Sequence, residues 1–230
     1  MRRRGRPERA AARAAVALIA CLLLAAVTGC GGNRPGPTEP AGSGVPSTLA
    51  ERAGGRDLVA RLRQGGHVIF LRHAATEATQ DDPRPDLADP STQRNLSDAG
   101  REQARQLGRA IRRLRIPVGM VLASPYARTR ETAEVAFGRD RVRVTRDLLN
   151  EAFPGTDDEE LARRLRRLLA TRPPAGQNPV LVSHGFNLQG ATGLSVAEGE
   201  SAVFAPGEAG RSRLVARITV EEWQTLAQHG

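Results

Sequence analysis

From residue 47 onward, apolar positions along the chain alternate between two periods. "RDLVARLRQGG", Arg56–Gly66, predicts a helix that stops at its two glycines. "HVIFL", His67–Leu71, carries a short apolar run of the kind a buried strand uses. "LSDAGREQARQLGRAIRRLRI", Leu96–Ile116, reads as a long amphipathic helix. Ser97 stands as its N-cap, and Ala104, Leu107, Ile111 and Leu114 form one stripe. "GMVLAS", Gly119–Ser124, predicts a strand, "YARTRETAEVAF", Tyr126–Phe137, a helix, and "RVRVT", Arg141–Thr145, a short alternating strand. "DDEELARRLRRLLATRP", Asp157–Pro173, opens with acids and continues with bases, as the helix dipole favours. "NPVLVSHG", Asn178–Gly185, contains a buried strand at Val180–Val182. "SAVFAP" and "RLVARITV" then read as a terminal hairpin, with a short helix around Trp223. Strands alternating with helices of this length predict an α/β fold. The expected form is a three-layer α/β/α sandwich with a mostly parallel central sheet.

The N-terminus follows another pattern. An Arg-rich segment precedes an uncharged apolar run, Ala14–Val27, which is too short for a spanning helix and suits an export signal. It ends in "VTGC", Val27–Cys30, which resembles a bacterial lipobox. "LIAC", Leu18–Cys21, fits that pattern too, but leaves only Ala14–Ala20 as apolar core. The expectation is a signal peptide over 1–29, a lipidated Cys30, a tether to residue 46 and one domain from 47 to 230. The tether, "GGNRPGPTEPAGSGVP", has too little apolar bulk to order itself. This places the domain outside the cytoplasm, anchored to a membrane through lipid. Cleavage before Cys30 leaves no second cysteine, so no internal disulfide can form. The formal charge of +9 falls to +4 once the first 29 residues are set aside, with 28 basic against 24 acidic residues. That balance, spread along mixed-sign helices and with few aromatics, argues against nucleic acid as a partner.

Three apolar strands end in polar groups of one kind. "VIFL" ends in Arg72-His73, "VLVS" in His184-Gly185, and "MVLAS" leads through "SPYAR" to Arg128. Ligands of parallel sheets bind at the carboxyl ends of strands. Two arginines and two of the four histidines therefore meet at one rim. This chemistry suits a phosphomonoester. The planar guanidinium fork grips phosphate oxygens in pairs. A neutral imidazole, its tautomer fixed by a hydrogen bond, can attack phosphorus. A second imidazole can share the developing charge, and a carboxylic acid must protonate the leaving oxygen. No spacing of His, Cys and Asp suggests a metal site, and no cofactor is expected.

With these residues in view, the chain resembles the histidine phosphatase superfamily, the phosphoglycerate-mutase-like fold, from about Gly65 to Val220. The family's Arg-His-Gly-x-Thr stands here as "RHAAT", Arg72–Thr76. Its Leu-Ser/Thr-x-x-Gly-x-x-Gln-Ala stands as "LSDAGREQA", Leu96–Ala104. Its Ser-x-x-x-Arg-x-x-x-Thr-Ala stands as "SPYARTRETA", Ser124–Ala133, and its closing His-Gly as "VSHG". Four motifs in family order are a specific signal. The resemblance implies that His73 is the nucleophile, that Arg72, Arg128 and His184 complete a phosphate pocket in which Thr76 also binds substrate, and that Glu151 in "LLNEAFPG" donates the proton. Ala74 departs from the family glycine, which a negative φ would tolerate. Thr79 and Gln80 stand where many relatives place Asn.

Other acids, Asp81, Asp82, Asp147 and Asp157, remain open as donors. Arg94 is either a further substrate-side cation or a solvated loop residue. His67 is read as structural and His229 as solvated. The expected function is a metal-independent phosphatase acting on a phosphorylated substrate, small molecule or phosphoprotein, through phosphohistidine. One alternative is a lipoprotein that only binds an anionic ligand in the same pocket. Another is a mutase-type phosphotransferase, disfavoured because Arg128–His184 leaves little room for a lid.

Overall fold

The computed structural model describes residues 54–229. The expected signal peptide, Cys30, the tether and the start of the domain at residue 47 lie outside the described residues. The elements are α1 (Gly55–Gln64), β1 (Val68–Arg72), α2 (Asp98–Arg113), β2 (Val118–Ala123), α3 (Ala127–Phe137) and β3 (Val142–Val144). Then follow α4 (Asp158–Ala170), β4 (Asn178–Ser183), α5 (Gly185–Thr192), β5 (Ser201–Pro206), β6 (Ser212–Ile218) and α6 (Val220–His229).

Six strands form one sheet in the order β3-β2-β4-β1-β5-β6. The first four are parallel; β5 runs antiparallel to β1, and β6 to β5. The two-residue period of a strand decides which layer each side chain joins. Ile69 and Leu71 of β1 pack with Val180 and Val182 of β4 against α1, α2, α3 and α6. Val68, Phe70 and Leu181 point the other way and meet Leu165 and Leu169 of α4 and Leu188 of α5. The three-layer expectation therefore holds. Ser97 caps α2 by accepting from the Gly100 N–H at 3.1 Å. The apolar stripe from Ala104 to Leu114 is buried. One helix, α5, departs from the pattern: "GFNLQGAT" contains two glycines and no apolar stripe, so neither propensity nor period marks it. Among the described residues no helix is long and apolar enough to cross a membrane.

Candidate active site

Strand order builds the site. β4 lies between β1 and β2, and the parallel register pairs Arg72 with Ser183 and Ala123 with Val182. The residues after these pairs, His73, His184 and Ser124, therefore leave the sheet side by side. The His73 and His184 rings are 5.5 Å apart, and Nε2 of His184 is 2.9 Å from the Ser124 hydroxyl. Arg72, His73, Arg94, Arg128, His184, Asn150, Gly185, Phe186 and Gln189 are among the residues that line a cavity of about 120 Å³ at this rim.

The sequence motifs hold the loop that carries His73. The Ala74 N–H donates to Thr132 of α3, and the Ala75 N–H to Gln103 of α2. Gly100 lets the start of α2 approach this loop: a Cβ there would lie 1.9 Å from the Ala75 carbonyl oxygen. Gly185 serves the same end, since a side chain at its Cβ would begin 3.3 Å from Nη1 of Arg72. Among the described non-glycine residues only Arg115 and Ala209 have positive φ, so Ala74 sits without strain.

His73 is buried, and its Nδ1 lies 2.9 Å from the Ala74 carbonyl oxygen. Nδ1 must donate there, which leaves the lone pair on Nε2. Burial, reinforced by Arg128, Arg72 and Arg94, pushes its pKa down to about 3, against the bond to Ala74, so the ring is neutral. His184 is held neutral by the same causes, burial first and Arg128 next. Arg128 is 1 % exposed. Its Nη1 donates to Asp81 at 2.9 Å and to the Arg94 carbonyl at 3.3 Å, and its plane lies 4.3 Å above the Tyr126 ring. Arg72 donates to the Val196 carbonyl at 2.9 Å. Burial lowers the pKa of both guanidiniums, opposed by Asp81 at Arg128 and by Glu198 at Arg72. Nε of Arg72, Nε of Arg128 and Nδ1 of His184 are buried without a protein partner. A buried donor left unpaired is costly, and the three residues that carry these nitrogens all line the cavity.

Residues 68–170 match the family model of the histidine phosphatase superfamily (branch 1). The family resemblance expected from the motifs thus has its match in residues 68–170. Among solved histidine phosphatase folds, the chain is similar to a phosphoserine phosphatase from Entamoeba histolytica in complex with 3-phosphoglyceric acid. The two share 15 % identity over 68 % of this chain and 98 % of that one, with a TM-score of 0.51. The protein histidine phosphatase SixA complexed with tungstate shares 18 % identity over 67 % of this chain and 97 % of its own, at a TM-score of 0.48. A mycobacterial glucosyl-3-phosphoglycerate phosphatase shares 19 % identity over 65 % and 96 %, at 0.49. At 15 % identity, what the likeness to the Entamoeba enzyme shows is the fold. No curated protein matches the chain significantly.

The expected residues divide. Arg72, His73, Arg128 and His184 line the cavity, and Arg94 joins them. Thr76 lies outside the lining; its hydroxyl donates to Glu198 at 3.1 Å. Asn150 lines the cavity, whereas the neighbouring Glu151 packs its carboxylate on α5, where Oε1 would be 2.6 Å from a Cβ at Gly190. That oxygen is buried without a partner, and burial, with Asp158 nearby, raises the pKa of Glu151. Asp81 is engaged with Arg128 and accepts the Arg94 N–H at 2.7 Å. Glu198, absent from the sequence expectations, pairs with Arg72 and Arg94 at 3.5 and 3.7 Å. It lies in a turn with no apolar period, so no pattern marked it. Among the described residues no group of three or more His, Cys, Asp or Glu is gathered as a metal site requires.

Proposed function

We propose that this domain hydrolyses phosphomonoesters through a phosphohistidine on His73. The observation that carries the reading is one cavity lined by a buried neutral imidazole, with Nδ1 engaged, and by the side chains of Arg72, Arg94, Arg128 and His184. Nε2 of His73 attacks phosphorus and the bond to the leaving oxygen breaks. Arg72, Arg94 and Arg128 balance the charge of the phosphoryl oxygens. With the Ser124 hydroxyl donating to Nε2, His184 offers its Nδ1–H to the same group. Glu151, its pKa raised by burial, is the donor to the leaving oxygen in this reading, and its carboxylate has to turn from Gly190 of α5 toward the cavity beside Asn150 to deliver the proton. It then takes a proton from the water that attacks phosphorus, the N–P bond breaks, and phosphate leaves.

The substrate we propose is a small phosphorylated molecule, in keeping with the 3-phosphoglyceric acid held by the Entamoeba relative. Phe186, 64 % exposed at the cavity mouth, offers the leaving group an apolar face. The test is hydrolysis of an aryl phosphate by the purified chain in a chelator, with covalent labelling by a phosphorylated substrate. Turnover that EDTA abolishes and a divalent metal restores overturns this mechanism. Loss of turnover and label in His73→Ala supports it. Phosphate binding without turnover of any substrate leaves the anion-binding lipoprotein instead. We also propose that the chain is exported, acylated at Cys30 and tethered outside the cytoplasm, on the strength of the "VTGC" quartet and the apolar run before it. Mass spectrometry of the mature N-terminus tests this: an unmodified terminus elsewhere than Cys30 removes the anchor.

A further inference from the structure

Glu198 is held on the Nδ1 edge of His73. Its Oε1 is 4.0 Å from that nitrogen, 3.5 Å from Nη2 of Arg72 and 3.7 Å from Nη2 of Arg94. Thr76 donates to both carboxylate oxygens, from its hydroxyl at 3.1 Å and its N–H at 3.2 Å. The turn beneath is fixed separately. Glu200 accepts the Arg217 fork at 2.7 and 2.9 Å and the Ala197 N–H at 2.7 Å, and Gly199 donates to the His73 carbonyl at 2.9 Å. Glu198 is not part of the cavity lining. Its carboxylate therefore stands behind the nucleophile.

The chemistry creates a charge at that edge. In the resting site the ring is neutral, with Nδ1 donating to Ala74. When the Nε2 lone pair becomes the N–P bond, Nδ1 keeps its proton and the ring becomes cationic. The burial and the three arginines that keep the resting imidazole neutral oppose this cation equally. Building on the reading of His73 as nucleophile, we propose that Glu198 is a positioning carboxylate that offsets the charge formed on the His73 ring during phosphorylation. No proton moves at Glu198. It remains an acceptor while the N–P bond forms and the P–O bond breaks, and the leaving oxygen takes its proton elsewhere. The relation resembles that of the buried carboxylate behind the histidine of a serine protease, which stabilises an imidazolium without becoming protonated.

A merely structural anchor for Arg72 and Arg94 predicts something different. Loss of an anchor loosens the arginines and weakens binding of any anion. Loss of a carboxylate that acts on the charged ring slows phosphorylation, while anion binding in the ground state holds or tightens, because a negative charge beside two arginines is gone.

The experiment uses the purified full chain. It measures the rate of His73 phosphorylation by rapid quench, kcat and KM, and inhibition by inorganic phosphate, in Glu198→Gln and Glu198→Asp. Glu198→Gln is expected to slow phosphorylation at least about tenfold, with phosphate inhibition unchanged or stronger, and Glu198→Asp to recover part of the rate. Thr76→Val, which removes one hydrogen bond to Oε1, should show a smaller loss of the same kind and carries the test if the Gln variant does not fold. Weaker phosphate inhibition in proportion to kcat/KM, or an unchanged phosphorylation rate, overturns the proposal. A wild-type chain that never forms phosphohistidine brings down the reading of His73, and this inference with it, before any variant is made.

Discussion

Acid should unfold this domain by a route that runs through His73, the nucleophile proposed above. His73 has an ordinary pKa of about 6.5 when unfolded and about 3 when folded, because burial and neighbouring arginines exclude the charged ring. Between these values the unfolded chain binds a proton that the folded chain does not. Stability therefore rises with pH across the window, is fully present above about 6.5, and is lost as pH falls toward 3. At pH 5 the difference is roughly 1.5 pH units, or about 2 kcal/mol from His73 alone. That is a large share of the 5–15 kcal/mol typical of a domain. His184, held neutral by the same causes, adds to the loss. The assay is urea unfolding at about pH 7.5 and about pH 5, for the wild type and for His73→Asn. The variant should lose about 2 kcal/mol less than the wild type over that interval. Equal losses in both would mean that His73 titrates normally in the folded chain, and the neutral nucleophile would go with it.

Four further outcomes are expected. Arg128→Lys keeps the charge but loses the planar fork, so kcat/KM should fall at least about tenfold, or about 1.4 kcal/mol; near-normal kinetics would remove Arg128 from the phosphate pocket. Gly100→Ala puts a Cβ 1.9 Å from the Ala75 carbonyl oxygen, so thermal melts should show a loss of about 1–3 kcal/mol, and turnover should fall as the His73 loop shifts. Glu151→Gln should slow hydrolysis of alkyl phosphates far more than of nitrophenyl phosphate, whose leaving oxygen needs little help; equal slowing would deny Glu151 the role of donor. Phe186→Ala should raise KM for aryl phosphates by a few-fold, about 1 kcal/mol of apolar contact, with phosphate inhibition unchanged. A shift in phosphate inhibition would place Phe186 in the phosphate pocket instead.

The pattern of periods by itself determined most of the layers. Short apolar runs that end in Arg72-His73 and His184-Gly185 have the length of buried strands that deliver polar groups to an edge, and the stripe from Ala104 to Leu114 has the period of a helix face turned to a core. It did not mark α5, whose glycines give no periodic signal and which is helical because Leu188 and Ala191 find a core against β4 and α4. Strand order also lay beyond it. A period of two says which face a residue joins, not which strand lies beside it, and the placing of β4 between β1 and β2 is what sets His184 against both His73 and Ser124. The loop residues depended most on the tertiary structure. Arg94, Asp81 and Glu198 carry no period, because loop side chains are positioned by what they dock against. Glu198 reaches Arg72 across 126 residues of chain through a turn clamped by Glu200 and Arg217. For the same reason Glu151, one residue from the cavity-lining Asn150, faces α5: the direction of a loop side chain follows from the helix packed against it, and no spacing along the chain encodes that.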